Sequence, residues 1–132
     1  MSRLSERSEI RLPELGEPIS HYTDAVVFGD LLFVSGCVGV DPVTGQFDQD
    51  VVAQTRQIFR NMGQILTAAG ASFADVLKVT VYLTDADDRP LVNPVRQEYF
   101  GDHRPASTLV EVSRLARPDA KIEIEAVVGL PG

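Results

Sequence analysis

The sequence predicts an α+β fold, because stretches in which apolar and polar residues alternate flank two stretches with helical spacing. Residues 121–128 alternate most regularly and predict a strand with one buried and one polar face. Residues 51–69 carry one broad apolar stripe at helical spacing. The order along the chain is strands, helix, strand, helix and strands, so we expect both helices to cover one face of a single sheet.

The length and the N-terminal composition predict one folded domain behind a short arm. A chain of 132 residues is typical of a single domain and long enough to bury an apolar core. Residues 1–17 are polar and mixed in charge, so we expect a flexible arm, within which residues 10–12 suit a short strand. Residues 18–132 then form the domain.

The first part of the domain predicts a β-hairpin. Two apolar runs, residues 25–28 and 31–41, are separated by Gly29 and Asp30, a pair typical of a two-residue hairpin turn. The second run ends in residues 41–45, which have the composition of a turn.

The middle of the chain predicts a helix followed by a strand. Asp48 or Asp50 can cap the helix that the apolar stripe predicts, and Gly70 can end it in the left-handed conformation. Residues 76–84 alternate again and predict a strand. One side of that strand carries Leu77, Val79, Val81 and Leu83.

A second helix is predicted from about residue 85 to Phe100, but Pro94 interrupts its pattern. Proline inside a helix loses a hydrogen bond and clashes with the preceding turn. Either Asn93 caps the helix and Pro94 takes its first position, or the helix is kinked at Pro94. Two strands, joined by a turn at residues 117–120, then complete the domain and carry three glutamates.

Composition and charge exclude several classes of partner. The formal net charge of −7 argues against an extended nucleic-acid surface, which needs clustered Lys and Arg. No apolar run approaches the ~18 residues of a membrane helix, and the first residues lack the apolar stretch of a secretory signal. Cys37 is the single cysteine, so a reducing cytoplasm is expected. Neither metal-ligand spacing nor a Gly-rich phosphate loop occurs, so no metal or cofactor is expected.

Residues 105–115 read Pro-Ala-Ser-Thr-Leu-Val-Glu-Val-Ser-Arg-Leu, and residues 121–126 read Lys-Ile-Glu-Ile-Glu-Ala. These stretches resemble the C-terminal signature of the RidA/YjgF family, the reactive enamine/imine deaminases. Shorter matches, such as Phe33-Val-Ser-Gly, follow the family order between residues 19 and 128. The resemblance implies a RidA-like (chorismate-mutase-like) sheet of about six strands with two helices on one face. It also implies a homotrimer with ligand clefts between subunits.

Glu123 is the first choice for a catalytic residue. It matches the family glutamate that positions the attacking water, and imine hydrolysis needs a carboxylate that holds this water and accepts its proton. The alternative is that Glu123 lies on the solvent face of an alternating strand. Glu125 has the same spacing, and for Glu125 the solvent-face interpretation is preferred.

Four further positions match family residues that surround the substrate. Ser35 and Gly36 match a Ser-Gly pair, in which the glycine either lets a ligand approach the backbone or forms a bend. Tyr22 matches a tyrosine that closes the cleft, or is an ordinary partly buried aromatic residue. Asn93 matches a family asparagine, or is only the helix cap.

One position departs from the family pattern. Deaminases of the family carry an arginine after Pro-Ala, which grips the substrate carboxylate, whereas this chain has Ser107. A serine cannot neutralise a carboxylate, so the substrate is expected to differ from 2-iminopropanoate and 2-iminobutanoate. Arg96 or Arg104 can compensate, or both are surface residues. Cys37 follows Gly36 and either faces the cleft as a thiol or packs as a small apolar residue.

Two functions from different classes follow from these residues. The first is hydrolytic deamination of a reactive enamine or imine, with release of ammonia and a carbonyl compound. The second is a non-catalytic trimeric protein of the same fold that binds a small metabolite, which the missing arginine favours. RNA cleavage, sometimes attached to the family, is disfavoured by the acidic charge.

Overall fold

A computed structural model describes residues 6–132 and shows a six-stranded mixed sheet with two α-helices on one face. The strands are β1 (Arg7–Ile10), β2 (Ala25–Phe28), β3 (Leu31–Val38), β4 (Val76–Leu83), β5 (Ala106–Glu111) and β6 (Ile122–Gly129). The helices are α1 (Val51–Ala68) and α2 (Arg89–Phe100). The predicted α+β class, with about six strands and two helices, is confirmed.

The last strand in the chain lies in the middle of the sheet. The strand order is β1-β2-β3-β6-β4-β5, and β6 pairs antiparallel with both of its neighbours. The strands β3 and β4 therefore run parallel on either side of β6, and α1 connects them. The edge strand β5 pairs parallel with β4, which requires the crossover that α2 supplies. Both helices thus cover the same face of the sheet.

The core lies between the helices and this face, as the two apolar patterns predict. The four alternating residues of β6 that point toward the helices are all buried: Ile122, Ile124, Ala126 and Val128. The apolar stripe of α1 is buried against them from Val51 to Leu66. Of the two candidate caps, Asp50 accepts a hydrogen bond from the Val52 backbone N–H at 3.2 Å, and Gly70 follows the helix with a φ of 75°.

A buried glutamine fixes the segment that leads into β6. Gln54 on α1 is fully buried, and its Nε2 donates to the carbonyl oxygens of Asp48 at 2.7 Å and Asp119 at 2.9 Å. Its Oε1 accepts from the Lys121 backbone N–H at 2.8 Å. A buried side-chain amide is tolerated when its groups are paired in this way. The contact positions β6 two residues before Glu123.

The second helix begins earlier than the capping hypothesis for Asn93 requires. Asp88 precedes the helix, Pro90 lies in its first turn, and Pro94 lies inside it, so the prediction that Asn93 is the cap is wrong. Proline is tolerated in a first turn because the N–H groups there lack helical partners. Pro94 removes the bond to the Pro90 carbonyl, but both residues are exposed, so water can reach that carbonyl.

The alternation predicted for the fourth strand fails at its first residues. Leu77 was placed on the same side as Val79, but its side chain is 53% exposed, whereas Val76 is buried. The register between β4 and β6 shifts between Val76 and Lys78. An extra residue in one strand reverses the side to which the preceding residues point.

The N-terminal segment joins the sheet sooner than expected. The strand β1 spans Arg7–Ile10, not residues 10–12, and pairs antiparallel with β2. A 3-10 turn follows at Pro13–Leu15. Part of the predicted arm is therefore in the sheet, and residues 1–5 of that arm lie outside the described residues.

The face of the sheet opposite the helices, which we call the open face, is not covered by residues 6–132 of the same chain. Phe28 and Leu31 lie opposite each other on this face, as do Phe33 and Val127. The phenylalanines are 47% and 44% exposed. Contiguous exposed apolar residues of this kind mark an interaction surface. Within residues 6–132, neither helix has the length and apolar character that a bilayer crossing requires.

Candidate active site

A cleft of about 510 Å³ lies where β3 and β6 meet the loops at residues 15–24, 40–45 and 116–117. This volume suits a small metabolite. Its lining includes Tyr22, Asp24, Ser35, Gly36, Arg117 and Glu123. The structure therefore brings together four of the residues that the sequence selected.

The Glu123 carboxylate lies in this cleft without a partner among residues 6–132. The side chain is half-buried, and no described residue donates a hydrogen bond to it or forms an ion pair with it. Burial raises the pKa of Glu123, and the nearby negative charge of Glu125 raises it further. A half-buried carboxylate with a raised pKa and free oxygens has the properties of a general base for a bound water.

Gly36 makes the space that this carboxylate occupies. A Cβ atom added to Gly36 would overlap Oε2 of Glu123 and lie 2.9 Å from its Cδ. The register of β3 against β6 shifts between Val34 and Cys37, so Gly36 sits in a bulge. Gly36 therefore forms a bend, as one of the two alternatives predicted. Its backbone is also approached closely, but by the Glu123 side chain and not by a ligand.

Ser35 on β3 forms hydrogen bonds to the loop at residues 15–24, and both elements line the cleft. Its Oγ donates to the Thr23 carbonyl oxygen at 2.6 Å, and its backbone N–H donates to the Asp24 carbonyl oxygen at 3.0 Å. The hydroxyl is therefore engaged by the protein, although Ser35 also lines the cleft. Tyr22 follows on the same loop, 47% exposed at the rim, where its ring can cover a ligand.

The other carboxylates near the cleft already have partners. Asp24 Oδ2 accepts from the Leu12 backbone N–H at 2.7 Å and pairs with Arg11 Nη1 at 3.3 Å. The exposed Glu125 accepts from the Tyr82 hydroxyl at 3.1 Å. Glu123 differs from both because its oxygens remain available to a ligand or a water.

Cys37 is not among the residues that line the cleft. It packs against the apolar core, and its Sγ lies 3.5 Å from the Ser35 carbonyl oxygen. Burial raises the pKa of the thiol to about 12, and the negative charges of Asp24 and Glu123 add to this effect. The thiol therefore stays protonated at neutral pH and unreactive.

A second cleft, of about 800 Å³, lies between α2 and the loop at residues 101–105. Asn93, Arg96 and Arg104 line it. Arg96 is half-buried, and its Nη2 donates to Ser107 Oγ at 2.9 Å. Burial lowers the pKa of Arg96, but an arginine keeps its charge at neutral pH. This contact joins Ser107, the position that departs from the family pattern, to one of the two arginines that can compensate for it.

One protomer does not bring Arg96 and Ser107 to Glu123. Ser107 on β5 pairs with the buried Val79 and so faces the helices, whereas Glu123 pairs with Tyr82 and faces the open side. Two strand spacings and three residue rises separate the Cα atoms of Ser107 and Glu123, which places them about 14 Å apart. The predicted residues thus fall into two groups on opposite faces of the sheet.

Arg117 is a cleft residue that sequence reasoning missed. It was assigned only to the turn before β6, yet it lines the cleft beside Glu123. Its Cζ lies 5.0 Å from the centroid of the Phe47 ring, a cation–π distance. The one signal in the sequence was a cation close before the strand that carries Glu123. Over residues 6–132, no cluster of three or more His, Cys, Asp or Glu side chains could hold a metal ion.

Comparison with known proteins gives consistent matches over most of the chain. Residues 14–129 match the family described as Endoribonuclease L-PSP. A RutC family protein of Pyrococcus horikoshii is 48% identical over 112 residues, which are 84% of this chain and 88% of that protein. The 2-iminobutanoate/2-iminopropanoate deaminase of Escherichia coli K12 is 40% identical over 112 residues, 83% of this chain and 87% of that protein.

Solved structures show the same fold. The YjgF gene product of E. coli superposes with a TM-score of 0.86 at 37% identity and covers 92% of this chain and 98% of its own. The E. coli TdcF protein, solved with bound serine, superposes with a TM-score of 0.87 at 35% identity and covers 94% of this chain and 99% of its own. These similarities extend over the strands and loops that form the first cleft.

Proposed function

Because the chain belongs to the Endoribonuclease L-PSP (RidA/YjgF) family, we propose that it is a hydrolytic deaminase of a reactive enamine or imine. The products would be ammonia and a carbonyl compound. The observation that carries this proposal is the half-buried Glu123 carboxylate, which faces a metabolite-sized cleft and has no partner in the part of the chain that the structure describes. The names of the bacterial deaminase relatives support the same reaction type.

Hydrolysis of an imine requires few catalytic groups. An enamine first gains a proton on its β-carbon and loses one from its nitrogen, and so becomes an imine. Glu123 holds a water against the C=N carbon and accepts a proton as the oxygen attacks, so a C–O bond forms and the C=N π electrons move to nitrogen. The nitrogen gains the proton that Glu123 accepted and the proton that the new hydroxyl releases, so the C–N bond breaks and ammonia leaves as the carbonyl forms. The sum is one imine and one water giving one carbonyl compound and one ammonia.

We also propose that three chains assemble so that the two clefts meet. The apolar side chains on the open face, including Phe28 and Phe33, would then be buried between subunits. Assembly would place the Arg96–Ser107 pair of one subunit near the Glu123 cleft of the next, which a single protomer does not achieve. The family resemblance supports a homotrimer with clefts between subunits, and the single cysteine, Cys37, supports action in a reducing cytoplasm.

Ser107 sets the substrate apart from that of the arginine-bearing relatives. Position 107 has no cation of its own, so a substrate carboxylate would have to be held differently. We therefore expect a preference that differs from 2-iminopropanoate and 2-iminobutanoate. The family description as an endoribonuclease does not outweigh the net charge of −7, which opposes binding to a polyanion.

The second candidate function is a non-catalytic trimer that binds a small metabolite. The missing arginine at position 107 favours it, and so does the TdcF structure, in which a protein of this fold holds serine. This candidate predicts tight binding without turnover. Turnover of any imine would exclude it as the whole function.

The test is to generate imines in situ with an amino-acid oxidase and to follow ammonia release by wild-type protein, Glu123→Gln and Glu125→Gln. We expect the rate of ammonia release by Glu123→Gln to be about 10²- to 10⁴-fold lower than that of wild type, because this is the usual contribution of a general base. Glu125→Gln is the matched control on the same strand and should stay within about threefold at pH 8. Equal rates for wild-type protein and Glu123→Gln across a broad panel would refute the deaminase proposal.

A further inference from the structure

The Arg96 guanidinium is a half-buried cation that lacks an anionic partner among residues 6–132. No described carboxylate lies within ion-pair distance of it, although other arginines on the surface, such as Arg7 and Arg56, are paired. Taking a charge partly out of water without a counter-charge is unfavourable. Such a group is typical of a site in which a ligand supplies the missing charge.

The contact with Ser107 orients this cation. A guanidinium has five N–H donors in a rigid plane, and the Ser107 hydroxyl accepts from one of them at 2.9 Å. The other four have no partner among the described residues, and Arg96 lines the second cleft, which is large enough for a small metabolite. Two parallel N–H groups of a guanidinium match the two oxygens of a carboxylate.

We propose that Arg96, held by Ser107, binds the carboxylate of the substrate and so takes over the task of an arginine at position 107. The inference rests on the proposed function and names the residue that would hold the substrate carboxylate in this chain. The cation would be delivered from helix α2, and the serine of β5 would position it. This chain would then differ from its arginine-bearing relatives because the carboxylate is held by a helix residue and not by a residue of strand β5.

Two other arginines are weaker candidates for this task. Arg104 is exposed and makes no side-chain contact described in the chain. Arg117 lies in the first cleft, where it stacks on Phe47. Arg96 is distinguished by partial burial together with a hydrogen bond that fixes its plane.

The test is a binding titration that needs no turnover. The probe is 2-oxobutanoate, which carries the carboxylate but no C=N bond, and butanone is the same carbon chain without the carboxylate. We expect Arg96→Ala to weaken 2-oxobutanoate binding by about 10- to 100-fold, as loss of a charge-assisted contact should. Butanone binding should change by less than about twofold, and Arg96→Lys should give an intermediate loss.

A restoring variant makes the test independent of folding defects. In the Arg96→Ala background, Ser107→Arg returns the cation to the strand and is expected to restore 2-oxobutanoate affinity to within about threefold of wild type. Arg114 is exposed and lines neither cleft, so Arg114→Ala is the control. It should bind 2-oxobutanoate as wild type does. Thermal melting of each variant separates unfolding from loss of the contact.

The inference and the proposed function fail in different ways. If Arg96→Ala binds 2-oxobutanoate as wild type does, or if Arg104→Ala or Arg117→Ala causes the larger loss, the role of Arg96 is refuted even when wild-type protein hydrolyses imines. If binding depends on Arg96 but no imine is turned over, the carboxylate site stands and the deaminase proposal falls.

Discussion

The two halves of the proposed site are built in different ways. The Glu123 half is made by backbone: central strands fix the position of the carboxylate, and a bulge with Gly36 leaves room for it. The Arg96 half is made by side chains: a helix residue reaches an edge strand and is held by one hydroxyl. General-base chemistry needs a water placed to within a fraction of an ångström, whereas a charge can act from more than one anchor. We infer that the cation can be supplied from different sequence positions in different members of the family, whereas the base cannot.

The largest effect should come from separating the two halves. Phe33→Glu places a carboxylate on the open face, and burying it between subunits without a partner would cost several kcal/mol. We expect monomers and activity at the uncatalysed background, measured by light scattering and ammonia release.

The control for this variant is Leu91→Glu, which also replaces an apolar residue of high exposure, 52%, but lies on α2. It should remain assembled and active. A fully active Phe33→Glu monomer would show that one protomer holds a complete site and would refute the division of the site between two subunits.

The next effect should come from filling the space at Gly36. Gly36→Ala would push the Glu123 carboxylate away, since the new methyl group overlaps Oε2. We expect kcat to fall by about 10²-fold or more, toward the rate of Glu123→Gln. The double variant should be no slower than Glu123→Gln alone, because both changes remove the same group.

Gly129→Ala on β6 is the matched glycine control. A Cβ atom there would lie 3.4 Å from Leu77 Cδ1, an ordinary contact, so its kcat should stay within about twofold of wild type. If Gly36→Ala keeps wild-type kcat, the carboxylate either moves without cost or does not act as the base.

The smallest effect should be a shift in pH dependence. In the proposed mechanism the deprotonated form of Glu123 is the base, so kcat/KM is expected to fall as the pH drops through a pKa above the ordinary glutamate value of about 4.3. Burial is the larger cause of the raised pKa and the charge of Glu125 the smaller. Glu125→Gln should therefore move the acidic limb of the pH–rate profile to lower pH without returning it to the ordinary value.

Glu111→Gln serves as the control for the pH profile, because Glu111 lies on β5 and accepts from the Ala86 backbone N–H instead. It should leave the acidic limb in place. A limb that does not respond to Glu125→Gln, or that moves to higher pH, would contradict the assignment of this pKa to Glu123.

The sheet could be predicted because its strands and helices follow from local patterns, whereas Glu123 was selected from the family resemblance. Strict alternation identified β6, and helical spacing identified α1, since burial of one face repeats at a fixed period. The same rule failed at Leu77, where a bulge changes the period, and bulges leave no mark in an apolar pattern. The hypothesis about Asn93 failed because a proline in the first turn, Pro90, let the helix begin earlier.

The cation half could not be predicted in the same way. The hydrogen bond between Arg96 and Ser107 joins a helix to an edge strand, and no periodicity connects the two positions. The overlap of Gly36 with Glu123 is likewise set by the pairing of β3 with β6, which the order of the strands in the sequence does not reveal. Side-chain roles that depend on a tertiary crossing need the fold first.

The central position of β6 has a consequence for biosynthesis. During translation β3 and β4 are made well before β6, yet they have no partner in each other, because β6 must lie between them. Each therefore leaves the ribosome with an open edge of unpaired N–H and C=O groups, which is the condition that favours pairing with another nascent chain. The sheet closes only when residues 122–129 emerge, so we expect the growing polypeptide to depend on chaperones until that moment.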